Sequence, residues 1–473
     1  MNESQLNAIV EQVVRKLSSE LNKAPSSPPK SAAPAVHSKR PGIFDDFDAA
    51  GAAATKAQQQ WVRTSVETRE RVIEAMRETS RRVADEISHM AVAETGLGNV
   101  KDKIQKNLLV ANKTPGMEIL KPIAVTGDHG LMLLERAPFG VIGAITPSTN
   151  ATETVINNGI GMVAGGNAVV FNLHPSAKGV GCFLISKLNE AIVAAGGPAN
   201  LIVTIGSPSI ETAQALMKHP SIRLIVVTGG PAVVKAAMNS GKRAIAAGPG
   251  NPPAVVDETA DLDRAAKDIV DGASLDNNIV CIVEKEIFAV DSIADQLKKN
   301  MAKYGGFEVP SSAINRLEKL VVHDGHAHRD WVGKDATKIA EAAGFRAPSG
   351  TRLLFAEVDP THPFVQAELL MPVVGFSRLK TVEDCIAAAL QAEHGFGHTA
   401  TMHSTNIDHL SEMAKVVNTS IFVKNGPSFA GLGLTGEGYT SFTIASPTGE
   451  GLTTAISFTR ERRCTLKDSF RII

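Results

Sequence analysis

Cys281 lies in SLDNNIVCIVEKE, Ser274 to Glu286, where the polar turn Asp276-Asn277-Asn278 runs into a short apolar segment. A thiol so placed is either buried packing or a nucleophile: thiolate attacks carbonyl carbon readily, whereas apolar burial leaves cysteine inert. The other cysteines, Cys182, Cys385 and Cys464, are far apart and form no CxxC pair. That spacing argues against a disulfide framework or a structural zinc site and suits a reducing compartment.

A second candidate is LIVVTGGPAVVKAAM, Leu224 to Met238. An apolar strand pattern enters Thr228-Gly229-Gly230, and Pro231 suits the first turn of a helix. Small residues at such a junction let a nucleotide approach backbone amides and a helix end, although a purely structural turn fits the same pattern. GLGLTG, Gly431 to Gly436, satisfies GxGxxG, but EGYTSFTIASPTGEG after it has no helical spacing, so a tight loop is expected there. HDGHAHRD, His323 to Asp330, has the histidine density of a metal site without a second ligand cluster. A solvated or substrate-proximal loop is the better reading, and no metal is expected.

Alternating elements must position these groups. Residues 45–120 have helical spacing, with Trp61, Val62, Val66, Val72, Ile73, Met76, Val83 and Ile87 as inward positions. After Pro138 come strand-like runs separated by amphipathic stretches: 141–146, 167–172, 201–206 and 224–230. A second series follows at 254–258, 286–291, 352–358, 373–379, 399–404 and 420–425. Strands alternating with helices imply parallel, doubly wound sheets, and two such α/β units leave a cleft where cofactor and substrate meet. The segment from Tyr439 onward reads as extended strands completing a sheet in another subunit.

The bulk numbers agree. At 473 residues and 43% hydrophobic content, two or three globular domains are expected. A net charge of −1 excludes a general electrostatic attraction to nucleic acid or anionic membrane. No apolar run approaches the roughly 20 residues of a membrane span, and the start lacks the pattern of a secretory signal.

The first residues stand apart. Leu6, Ile9, Val10, Val13, Val14, Leu17 and Leu21 draw one stripe on a helix, and the Pro/Ser/Ala-rich APSSPPKSAAPAVHSKRPG that follows reads as a flexible linker. A short tethered amphipathic helix needs a surface to bury its stripe, on its own domain or on a partner.

Several motifs occur together in order: ETGLGN, ERAPFGVIGAITPSTN, VVTGGPAVV, AAGPGNPPAVVDETADL, SLDNNIVCIVEK, ELLMPV, GHTATMHS, VKNGPS and FTRERRC. With them the chain resembles the aldehyde dehydrogenase superfamily over essentially its whole length. It is most similar to the CoA-acylating propionaldehyde and acetaldehyde dehydrogenases of bacterial microcompartments. The resemblance implies two doubly wound α/β domains with a small β oligomerisation element. The implied division is a targeting helix over 1–20, a linker over 21–42, a nucleotide domain over 43–245 and a catalytic domain over 246–438. Residues 122–138 and 439–473 would form the oligomerisation element, and a dimer or tetramer is expected.

It also implies roles. Cys281 would be the nucleophile, forming a thiohemiacetal and then a thioester. Asn150 of TPSTN would donate to the oxyanion with the Cys281 N–H, although capping the next helix is an alternative for this residue. Thr228, Gly229, Gly230, Thr146 and Pro147 would contact NAD, Glu368 would hold the nicotinamide ribose, and His174 is placed near the adenosine half or as a turn cap. His398 matches a histidine of CoA-acylating members and would accept a thiol proton or simply brace a strand.

One departure from the wider superfamily matters more than the matches. Hydrolytic members carry a water-activating glutamate where this chain has AAGPGNPP, at about Ala247. Without it a thiol, that of coenzyme A, is expected to take the acyl group. The implied reaction is aldehyde + NAD + CoA to acyl-CoA + NADH, with propionaldehyde favoured and acetaldehyde accepted. It would run in the cytoplasm, inside a microcompartment whose shell or cargo binds residues 1–20. The alternatives are a hydrolytic NAD(P)-dependent dehydrogenase and an inactive assembly protein.

Overall fold

Two parallel sheets face one another across the site, and each is built by the strand–helix alternation read from the sequence. The computed structural model describes residues 40–473, so the 1–20 helix and nearly all of the linker lie outside the described residues. The first sheet has six parallel strands in the spatial order Ile43–Phe44, Ile202–Ile205, Ala168–Asn172, Val141–Ile145, Ile222–Thr228, Ala244–Ala247. The second has seven, in the order Gly306–Glu308, Leu353–Glu357, Val373–Leu379, Glu286–Val290, Pro253–Val256, Thr399–His403, Ile421–Lys424. All ten strand runs marked in the sequence are strands. The sequence reading missed Ile43–Phe44, Ala244–Ala247 and Gly306–Glu308, which are too short to show a period.

The central strands Val141–Ile145 and Ala168–Asn172 are buried along their whole length, as expected for strands covered on both faces. Helices cover the first sheet. Phe47–Trp61 packs the fully buried Trp61, whose indole N–H donates to the Val163 carbonyl at 2.9 Å. Val66–Thr95 inserts Val72, Ile73, Met76, Val83 and Ile87. Val62 and Val66, expected inside, are instead 42% and 61% exposed. They flank the turn between these two helices, where the stripe is interrupted and the chain reverses at the surface.

From Val141–Ile145 the chain winds to Ala168–Asn172 and Ile202–Ile205 on one side. It then crosses to Ile222–Thr228 and Ala244–Ala247 on the other. This reversal opens a crevice at the carboxyl ends of Val141–Ile145 and Ile222–Thr228, the usual ligand position in an open α/β sheet. The second sheet presents its other edge to the crevice. Gly250, Cys281, Glu368 and His398 all lie just before the strands Pro253–Val256, Glu286–Val290, Val373–Leu379 and Thr399–His403.

A third, antiparallel sheet joins Ile123–Gly127, Gly130–Pro138 and Thr459–Lys467. The expectation that everything after residue 438 serves such a sheet needs correction. Phe442, Ile444, Ala445, Ala455 and Phe458 are buried in the core of the first sheet. The Asn157 side chain accepts from the Phe442 N–H at 3.1 Å. Apolar side chains at these positions hold the segment inside; Thr459–Lys467, mostly charged and exposed, and the residues after it leave the core. GLGLTG forms the end of a 3-10 turn and the bends after it, with no helix following. Among the described residues no helix is long and apolar enough to cross a membrane.

Candidate active site

The crevice is a cavity of about 790 Å³ whose wall includes Thr146, Pro147, Asn150, His174, Thr228, Gly229, Gly230, Cys281 and Glu368. Nine of the ten residues named from the sequence therefore meet in one place. His398 does not line the wall.

Each position has a local cause. Thr146 and Pro147 follow directly from the buried Val141–Ile145 strand, and the Thr146 hydroxyl is buried without a protein partner. Thr228 ends its strand, Gly230 caps the helix Pro231–Met238, and Pro231 takes the first helical position. A side chain at Gly230 would meet nothing within 4 Å, so a ligand has open access to the backbone there. The Thr228 hydroxyl is bound to that of Thr443 at 2.7 Å, tying the C-terminal segment to this turn. His174 Nδ1 accepts from the Ser176 N–H at 3.2 Å and so caps the 3-10 turn Pro175–Ala177 while also facing the cavity.

These features suit a dinucleotide. An unpartnered hydroxyl, an open glycine turn at a helix start and a carboxylate lie along one cavity, which offers hydrogen-bonding groups for phosphate and ribose.

Asn150 precedes the fully buried helix Ala151–Ala164, yet its side chain makes no capping bond. The helix-capping alternative is therefore removed. Its Oδ1 accepts from Lys106 Nζ at 2.6 Å, while its Nδ2 has only Thr149 Oγ1 at 3.5 Å, beyond good hydrogen-bond distance. The amide hydrogens remain free to donate to a ligand oxygen.

Cys281 sits in the turn between the 3-10 helix Leu275–Asn278 and the strand Glu286–Val290, partly exposed to the cavity. Asp276, Asn277 and Asn278 have φ of 49°, 55° and 65°. Such left-handed backbone is tolerated best by Asn and Asp, which explains the DNN sequence. Lys285, buried, fixes the turn by donating to Asn278 Oδ1 at 2.6 Å and to the carbonyls of Asn278 and Val280 at 2.7 and 3.2 Å. A Cβ at Gly250 would come within 2.8 Å of the Cys281 carbonyl and 2.9 Å of the His398 ring, so only glycine fits between them.

Burial, and then the Glu368 carboxylate, push the Cys281 thiol up to about 12; Lys285 opposes this. Burial raises Glu368 to about 7, against the pull of Lys285, and lowers Lys285 to about 8. In the free protein Cys281 is thus a thiol at neutral pH. His398 is fully buried, with Nδ1 on Thr399 Oγ1 at 2.9 Å and Nε2 unpartnered. Burial and the Lys285 charge lower it to about 4. It lies behind Gly250, away from the cavity wall.

Several lining residues escaped the sequence reading. Arg329, from the HDGHAHRD loop, reaches the wall and its charge helps to lower the pKa of His174. Ser441, Phe442 and Ile444 also line it; Ala247, Gly248 and Pro249, of the AAGPGNPP segment singled out from the sequence, line it too. Glu368 is the one carboxylate among the lining residues. Nothing local marks Arg329 or Lys285: a charge in a polar or apolar run reads as solvated until the fold closes around it.

A raised thiol pKa means that alkylation of Cys281 by iodoacetamide should climb by roughly tenfold per pH unit from pH 7 to 10, with no plateau. Because the Glu368 charge contributes, Glu368→Gln should speed alkylation at pH 8 by roughly threefold to tenfold. A plateau below pH 8, or no effect of the substitution, would contradict this electrostatic account.

Known proteins are similar to this chain in sequence and fold. The aldehyde dehydrogenase family profile matches residues 35–305. The acetylating acetaldehyde dehydrogenase of Salmonella typhimurium is 50% identical over 480 residues, covering 100% of both chains. The crystal structure of Rhodopseudomonas palustris propionaldehyde dehydrogenase with bound propionyl-CoA superposes with a TM-score of 0.89 at 49% identity, covering 90% of this chain and 95% of that one. The propionaldehyde dehydrogenase of the Clostridium phytofermentans fucose utilisation bacterial microcompartment gives a TM-score of 0.90 at 46% identity, covering 92% and 100%. With its profile, its full-length relative and its cavity in agreement, this chain belongs to the aldehyde dehydrogenase family.

Proposed function

We propose that this protein oxidises an aldehyde of two or three carbons and passes the acyl group to coenzyme A. The observation that carries the reading is the pairing of Cys281 and Asn150 in a cavity where Ala247 stands in place of a water-activating carboxylate. The similarity to a CoA-acylating relative and to a structure holding propionyl-CoA supports it.

In this reading the Cys281 thiol gives up its proton to solvent, the Sγ thiolate attacks the aldehyde carbon, and the carbonyl oxygen becomes an oxyanion. The Asn150 amide and the Cys281 N–H donate to that oxyanion, an electrostatic effect worth most where water is excluded. NAD, held at the Thr228–Gly230 turn with Thr146, Pro147, His174 and Glu368, supplies the two-electron oxidation when bound. Cys281 is left as a thioester. No carboxylate at Ala247 deprotonates a water against it, whereas a CoA thiolate needs no such base; it attacks the acyl carbon, and Cys281 leaves as thiolate. Glu368, whose Oε1 accepts from the Gly250 N–H at 3.4 Å, is given in this reading to the nicotinamide ribose and not to a water.

The same reading gives residues 43–245 to the nucleotide, 246–438 to the thiol, and the exposed 123–127 and 459–467 strands to subunit assembly. Residues 1–20 would dock to a microcompartment shell or cargo protein through the Leu6–Leu17 stripe. The microcompartment origin of the Clostridium phytofermentans relative supports that location.

With aldehyde and NAD but no CoA, NADH formation should stop at about one equivalent per Cys281 and resume on adding CoA. Full multiple turnover without CoA would make the enzyme hydrolytic instead. Cys281→Ala should abolish turnover altogether, which an inactive assembly protein would not show. Deleting residues 1–20 should leave kcat and KM unchanged while ending co-purification with shells; a truncated enzyme still found in shells would refute the docking role.

A further inference from the structure

Lys106 is a group that the proposed chemistry does not use. It lies on the helix Val100–Lys113, its side chain 1% exposed, and its ammonium has three partners. These are Asn150 Oδ1 at 2.6 Å, Asp276 Oδ2 at 2.6 Å and Glu153 Oε1 at 3.0 Å. Lys103, one turn earlier, also reaches Asp276 Oδ2, at 2.9 Å, and the Thr149 carbonyl at 3.3 Å. Asp276 in turn accepts from the Asn99 N–H at 2.8 Å and opens the left-handed run Asp276–Asn278 that leads to Cys281.

The two contacts of Lys106 converge on one chemical event. An ammonium against the amide oxygen forbids the flipped rotamer, since that would set the Asn150 NH₂ against NH₃⁺. It also draws electron density toward Oδ1, which leaves the Nδ2 hydrogens more positive and better donors. Those hydrogens are the ones that lack a good protein partner. Through Asp276 the same ammonium anchors the turn that carries the second donor, the Cys281 N–H.

We propose that Lys106 is the positioning residue of the oxyanion hole, holding the Asn150 amide with its N–H₂ toward the cavity and in register with the Cys281 turn. The proposal rests on the oxyanion reading of Asn150. Two buried carboxylates keep the charge in place: burial alone would lower the pKa of Lys106, but Asp276 and Glu153 outweigh it and hold it at about 12. The ammonium therefore stays charged throughout the working pH range.

Lys106→Met alone would strand two buried carboxylates, so the test pairs it with a neutralised partner, Lys106→Met/Glu153→Gln, leaving Asp276 to Lys103. Folding is followed by circular dichroism, and Lys106→Arg serves as the charge-conserving rescue. Asn150→Ala should lower kcat by roughly 10²–10³-fold, the usual loss of one oxyanion donor. The paired variant should lower kcat by roughly tenfold or more with KM for aldehyde within about threefold, and Lys106→Arg should recover part of that loss. Iodoacetamide alkylation of Cys281, which forms no oxyanion, should stay within about threefold of the parent. In an Asn150→Ala background most of the loss from the paired change should disappear, because most of it acts through that amide, and only the part carried by the Cys281 turn should remain. Parent-like kcat in the paired variant, equal losses of kcat and alkylation, or full additivity with Asn150→Ala would each overturn the proposal. If the paired variant does not fold, Lys106→Arg decides alone: kcat and alkylation falling together would overturn it, and a fall in kcat only would sustain it. Asn150→Ala at parent kcat would instead remove the oxyanion reading beneath it.

Discussion

The side chains of Lys103 and Lys106 are 2% and 1% exposed, and their ammonium groups meet the side chains of Asp276, 0% exposed, and Glu153, 1% exposed. Four charges so fully removed from water are tolerable only together. Dehydrating each costs several kcal/mol, and losing one member of such a set typically costs about 3–5 kcal/mol. The set draws on three places in the chain: two lysines from the Val100–Lys113 helix, Glu153 from the start of the Ala151–Ala164 helix, and Asp276 from the turn before Cys281. None of these can settle elsewhere without exposing a charge to an apolar interior. The left-handed Asp276-Asn277-Asn278 backbone, of a kind that costs about 1–3 kcal/mol per residue where it is strained, is held by the same contacts.

The two large sheets use this fixed point differently. The first offers the carboxyl ends of its strands, where Thr146 and Thr228–Gly230 leave backbone and hydroxyl groups open to a ligand. The second offers the amino ends, where Gly250, Cys281, Glu368 and His398 crowd together. The absence of a side chain at Gly250 lets the Cys281 turn approach the His398 ring, so shape as well as charge sets the position of the thiol.

Electrostatically the site is poised rather than primed. Burial and Glu368 keep Cys281 protonated, Lys285 works against them, and Glu368 and Lys285 have themselves been drawn toward neutrality. A positive charge entering the cavity would lower the thiol's pKa by the same Coulombic rule. Nearby, Glu286 is buried with both carboxylate oxygens unpartnered, and burial raises its pKa well above the usual carboxylate range.

The strands, their alternation with helices and the LIVVTGG junction were legible because period and turn chemistry are local properties. DNN before Cys281 was legible as a turn for the same reason. The roles of Cys281, Asn150 and Glu368 came from motif company, since Cys281 alone reads more readily as packing. Lys103, Lys106 and Lys285 were silent: a lysine in a helix or apolar run carries no sign of whether its charge will be solvated or enclosed. The same holds for Val62 and Val66, whose apolar spacing pointed inward but whose place at a helix junction put them outside, and for Tyr439–Phe458, which read as strands for another subunit but fold into the first core. Sequence by itself determined the elements and the reactive groups, because these follow from neighbours a few positions away. Tertiary structure alone decided which charges are buried and which face a cavity, because desolvation depends on residues brought together from 100–113, 150–153 and 276–285.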